Sequence, residues 1–282
     1  MDDPQNSTRP QTSGEKRPSP GLIGAISFDG IDCPVCRTDV PETYFAFEPP
    51  SATPTLFTDC RATNKQLIAF VNQWLPAARD VMADMRRRYR KSPSTHCRYQ
   101  TGDVAYVYGR PFMLRVYPQA MGQMHHASRG RANVGVRVVT QVSLVELFVI
   151  QTGSFEQRRG SFISWADDIL VRNALGLCAQ VSERAGVSLE GRYTFRARES
   201  HDRLIYIDQR GSNVWLSRDL IPFPPHCMAY AFARALADHV CADEDDPVER
   251  AQKTHQIVEC GCPDWRLAHD ILTDKDSVFR RQ

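Results

Sequence analysis

Residues 224–240 read PPHCMAYAFARALADHV, and the reading of this stretch decides the rest. Pro225 suits the first position of a helix, where its missing N–H is not needed. Behind it, Met228, Phe232 and Leu236 recur at helical spacing, so the segment is expected to be an amphipathic helix. Two residues stand out in so apolar a run: Arg234 and the lone His239.

The elements around this helix follow from periodicity. Upstream, DVAYVYGRPFMLRVYP (103–118) predicts two strands joined at a Gly-Arg-Pro turn, and GVRVVTQVSLVELFVI (135–150) two more. SFISWADDILVRNALGLCAQVSERAGV (161–187) predicts a long amphipathic helix. Phe162, Trp165, Ile169, Leu170, Leu177 and Val181 share one face, and Gly186 takes the C-cap position. YTFRARE (193–199) and RLIYID (203–208) predict short strands, and QRGSN (209–213) a turn before VWLSR (214–218). Downstream, the acidic ADEDDP (242–247) lacks the Gly and distal Glu of a calcium loop and is expected to be solvated. VERAQKTHQIVEC and the run after CPDW predict two closing helices.

The expected fold class is α+β. An antiparallel sheet from the 103–150 strands and the 192–217 hairpin would pack on the long helix and a C-terminal helical pair. Residues 1–25, rich in Pro, Ser, Thr and charge, are expected to be a disordered tail, and they contain no apolar run of signal-peptide type. Residues 26–100 form an N-terminal extension. Within it NKQLIAFVNQWLPAARDVMADMRRRYRK (64–91) predicts a helix that Pro76 should kink or divide.

The 282 residues are 42% hydrophobic and 24% charged, enough to build one sizeable domain or two small ones. A formal charge of +2 does not by itself imply a nucleic-acid partner. No apolar run reaches the length of a membrane span, and nine cysteines, mostly single within apolar stretches, fit a reducing compartment; a cytoplasmic location is expected.

Two motifs in the extension admit chemistry. Cys33 and Cys36 in CPVC have the spacing of a zinc knuckle, which Cys60 with His96 or Cys97 could complete; free thiols are the competing reading. Arg86, Arg87, Arg88, Arg90 and Lys91 surround Tyr89, either as a solvated helix end or as a phosphate or nucleic-acid contact. His125 and His126 are expected in a surface hairpin tip.

Four local matches in the same order, from Asp103 to Leu272, carry a resemblance to the YgjP-like metallopeptidases, relatives of the SprT-like and WLM zinc peptidases. YGRPFMLRVY (108–117) resembles the family's opening hairpin. RESHDRLIYIDQRG (198–211) is similar to its R-D-x-x-x-R-W-G-S-C segment, keeping Arg198, Arg203 and Gly211 but carrying Leu204, Ile205, Tyr206 and Ile207 where that motif continues. SRDLIPFPPHCMAYAFARALAD (217–238) resembles the segment ending in HELAH, keeping Leu220, Pro224, Pro225, Tyr230, Leu236 and Ala237. CPDWRLAHDIL (262–272) resembles the closing motif.

The resemblance implies a minimal zincin-like fold over residues 101–275, and it also implies a lost centre. Such an enzyme needs two neutral His ligands four residues apart, a Glu base between them, and a third ligand downstream. The correspondence puts Arg234 and Asp238 at the ligand positions, Ala235 at the base, and Arg250 or His255 at the third ligand. Arginine is a permanent cation and cannot ligate. The expected function is therefore that of an inactive pseudo-peptidase acting as a binding or regulatory module for a protein partner, with no metal at the family site. Arg234 and Asp238, at i and i+4, could pair where the metal would sit. The alternative is an active metal-dependent hydrolase remodelled around Asp238 and His255, with His239 and Cys241 nearby.

Overall fold

The computed structural model describes residues 21–28, 30–91, 96–119, 135–150, 153–187, 193–200, 202–208 and 212–280. The tail through residue 20, His125, His126 and Gly211 lie outside the described residues. The expected tail ends earlier than residue 25, because residues 21–25 already belong to a strand.

The extension is a folded layer. Strands β1 (Gly21–Phe28), β2 (Ile31–Thr38), β3 (Tyr44–Glu48) and β4 (Thr53–Asp59) form a sheet in the order β1-β2-β4-β3. Helix α1 (Asn64–Lys91) runs through Pro76 without dividing. Buried Leu67 and Val71 before the proline, and Ala78, Val81, Met82 and Met85 after it, hold both halves against the same core.

Strands β5 (Val104–Val107), β6 (Arg110–Gln119), β7 (Gly135–Val139) and β8 (Leu144–Ile150) form a second sheet in the order β5-β6-β8-β7. The expectation of an antiparallel sheet is corrected here: β6 and β8 run parallel. Strand β8, LVELFVI, is the most apolar of the four and takes an inner position with covered faces, whereas β7 goes to the edge. Alternation along these strands feeds two cores. Met113 and Leu144 join Phe45, Leu56 and Met85 of the extension. Leu114, Val145 and Leu147 face Phe162, Leu170 and Val181 of α2 (Phe155–Ala185). The boundary expected near residue 100 is thus crossed by a shared core.

A third sheet joins β9 (Thr194–Arg198), β10 (Ile205–Ile207) and β11 (Asn213–Ser217) in the order β10-β11-β9. The hairpin β10–β11 is antiparallel as expected, and β11–β9 is parallel. Helices α3 (Pro225–Val240), α4 (Pro247–Gly261) and α5 (Trp265–Thr273) complete the chain. Predicted punctuation is borne out at two ends, where Gly186 caps α2 with φ 66° and Pro225 opens α3; Asp246, at the end of the acidic loop, also caps α4 through the Val248 N–H at 2.8 Å.

Two contacts tie these layers together. Arg88 of α1 reaches Asp103 at 2.6 Å, with both side chains buried. The other Asp103 oxygen accepts the backbone N–H groups of Arg98 at 2.8 Å and Gln100 at 2.9 Å. At the β5–β6 turn, Tyr108 (φ 53°) and Gly109 (φ 74°) take left-handed conformations. Their N–H groups donate to the carbonyls of Ile221 at 2.8 Å and Pro222 at 3.0 Å, fixing the segment that launches α3.

Both contacts are testable by denaturant unfolding. Arg88→Ala strands a buried carboxylate and is expected to lower stability by about 3 kcal/mol, whereas Arg90→Ala, on an exposed side chain, should change it by less than about 0.5 kcal/mol. Gly109→Ala adds a Cβ 2.9 Å from Pro224 Cγ at a positive φ and should cost more than about 1 kcal/mol.

Candidate functional site

Helix α3 is buried over most of its circumference, through Cys227, Met228, Ala231, Phe232, Ala235 and Leu236 among others. The face left open carries Tyr230, Arg234 and Asp238, each four residues from the next. Opposite it stands β10, a sheet-edge strand. Between them lies a cleft of about 980 Å³, walled by Arg203–Ile207 on one side and Tyr230, Arg234, Ala235, Asp238 and His239 on the other. Small side chains at Ala231 and Ala235 form its floor, and Asp243 closes one end. The Tyr230 hydroxyl is anchored to His269 Nδ1 at 3.1 Å.

The chain therefore brings together Arg234, Ala235 and Asp238, as the spacing requires of one helix face. It does not join Arg234 to Asp238: both are exposed, and no ion pair within 4.0 Å connects them among the described residues. The reason is magnitude. An exposed i, i+4 pair gains only about 0.2–0.5 kcal/mol, too little to order two solvated side chains.

The downstream candidates lie elsewhere. His255 projects from the exposed side of α4, where its Nε2 is 3.6 Å from Glu259 and its ring meets Trp265 edge-on; it does not line the cleft. Arg250 turns its Nε to the Glu244 carbonyl at 2.9 Å and secures the acidic loop. The carboxylates of Asp238 and Asp243 and the imidazole of His239 line the cleft together with the Arg234 guanidinium, a permanent cation that cannot act as a metal ligand. Among the described residues no three His, Cys, Asp or Glu side chains converge as a metal-binding group.

The cysteine set is dispersed as well. CPVC lies within β2, where Cys33 points into the extension's core and Cys36, three residues on, to the opposite face. A knuckle needs both thiols aimed at one point, whereas along this strand the two side chains face opposite ways. Cys97 is buried in the other core, and Cys60 lies beyond the end of β4 with its Sγ 4.0 Å from Asp39. Burial pushes the Cys33 thiol to about 11 and that of Cys97 to about 12.

The basic run at the end of α1 is not one patch. Arg88 is buried on Asp103, Arg86 donates to the Ser51 carbonyl at 3.2 Å, and Arg87 pairs with Asp84 at 3.3 Å. Only Arg90 and Lys91 extend into solvent unengaged. Three of the five residues are thus engaged within the fold, and the solvated helix end is left to Arg90 and Lys91.

A more apolar cavity of about 580 Å³ lies between Tyr44, Phe112, Trp165 and Met228. Its Arg110 stacks on the Tyr44 ring at 3.4 Å and donates to Ser143 Oγ at 3.1 Å and to the Thr140 carbonyl. Among the described residues that line this cavity there is no Ser, Cys or His.

No protein-family model matches this chain, and neither a curated protein nor a solved structure matches it. No helix among the described residues is long and apolar enough to cross a membrane.

The thiol geometry yields a direct test. Thiolate-directed alkylation near pH 8 should label exposed Cys260 first and leave Cys33 and Cys97 untouched until unfolding, because their raised pKa keeps them protonated. Paired protection of Cys33 and Cys36 that a chelator releases would instead establish a zinc knuckle.

Proposed function

We propose that this protein is a binding module on a peptidase-like scaffold rather than a hydrolase, and that the cleft between β10 and α3 receives a protein partner. The observation that carries this reading is the open face of α3. Arg234, Ala235 and Asp238 front a large cleft at the positions where the resembled YgjP-like enzymes keep two ligands and a base. Arg234 puts a permanent cation where the resemblance would place a neutral nitrogen ligand, and Ala235 offers no carboxylate to act as base for a bound water. What is left is a concave surface with a cation and an anion one helical turn apart.

Strand β10 adds to this, because it sits at the sheet edge with one side unpaired within its sheet. An extended segment can add to such an edge by main-chain hydrogen bonds, and Arg234 and Asp238 would then read its charged side chains. The hydrolase alternative finds less support, since its two named ligands, Asp238 and His255, do not share the cleft.

Metal analysis of the purified protein, with peptidase assays alongside, tests the reading. The protein should carry no stoichiometric zinc, and Asp238→Ala should alter neither metal content nor residual hydrolysis. One zinc per chain, lost in Asp238→Ala or His255→Ala together with peptide cleavage, would overturn it.

A further inference from the structure

The sheet β10-β11-β9 has two unlike faces. Phe195, Ala197, Ile205, Ile207, Val214 and Leu216 point into the main core. The alternate residues point out, and the strand register aligns them in a row: Tyr206 opposite Trp215, and Trp215 opposite Arg196.

Arginines interleave with these rings. The Arg196 and Arg198 guanidinium carbons each lie 5.5 Å from the Trp215 ring centroid. Arg198 is also 5.7 Å from the Tyr206 ring centroid, as is Arg203. The face thus presents a ladder of cation, ring, cation, ring, cation. None of these three arginines is in an ion pair among the described residues. The acids nearby are engaged or at the margin. Glu199 lies 3.4 Å from Arg159 and 3.6 Å from Arg218, Asp208 accepts from Asn213 and Ser212, and Asp202 is exposed beside Arg203.

A β-sheet face with two half-buried aromatic rings and three guanidiniums outside any ion pair among the described residues fits one kind of partner well. Unstacked bases lie on rings and guanidinium planes, and the phosphates between them meet the positive charge. A duplex keeps its bases stacked and cannot use the rings. We propose that this outer face binds single-stranded nucleic acid, with Trp215 and Tyr206 as stacking platforms and Arg196, Arg198 and Arg203 as the backbone contacts. This does not depend on what enters the cleft beside α3, although Arg203 and Tyr206 border both surfaces.

Fluorescence anisotropy of the full chain with a short labelled single-stranded RNA, the same DNA sequence, and its duplex tests the proposal. Either single strand should bind more tightly than the duplex, and the RNA and DNA arms identify which source is preferred. The logarithm of affinity should fall against that of salt with a slope of about −2, roughly −0.7 for each neutralised phosphate. Trp215→Leu should weaken binding about tenfold, and Arg196→Gln/Arg198→Gln/Arg203→Gln should flatten the salt slope, with circular dichroism melting showing that both variants fold. Because the three arginines are unpaired, the triple variant serves even if Trp215→Leu does not fold. Equal affinity for duplex, binding unaffected by the triple variant, or binding only to vesicles of anionic phospholipid would each overturn the assignment.

Discussion

The buried pair between Arg88 and Asp103 joins the two halves of this molecule. Arg88 ends the long helix of the N-terminal layer, and Asp103 begins the segment leading into the central sheet. A carboxylate this buried is tolerable only when its oxygens are met, and the Arg98 and Gln100 N–H groups meet the one that Arg88 does not. The pair therefore sets where α1 lies over β5 and β6. The same charge that looked available to a phosphate is committed inside the fold.

From that junction the geometry propagates to the cleft. The central sheet is covered on both faces, so its strands cannot shift without repacking two cores. Its β5–β6 turn grips the backbone at Ile221 and Pro222, and three residues later α3 begins. The open face of α3, with Arg234 and Asp238, is thus aimed at β10 by contacts made well away from either residue. The cleft is thus shaped by packed layers, while the side chains that line it on α3 stay in solvent.

Much of this was legible in the chain because it depends on local rules. Helical spacing, Pro225 and Gly186 located α2 and α3, and β-branched runs located β5 to β8. The extension was harder. CPVC was legible as a ligand spacing and not as a strand, because it pairs on both sides with partners whose distance in sequence leaves no local signature. The basic run could not be divided for a related reason: which of several adjacent arginines turns inward depends on a carboxylate fifteen residues away. The arginine–aromatic ladder was divided among three strands, so TFRAR and VWLS each looked ordinary alone.

By itself, then, the sequence determined the elements, many of their ends, and the residue types that recur along one face of α3. Those are properties of spacing and side-chain chemistry, and they need no neighbour. Only the tertiary structure decided that β6 and β8 run parallel, that Cys33 and Cys36 diverge, that His255 stands apart from Asp238, and that Arg196, Trp215, Arg198, Tyr206 and Arg203 form one surface. Each depends on strand order and on which groups must be buried together, and the whole chain settles that balance of burial and desolvation.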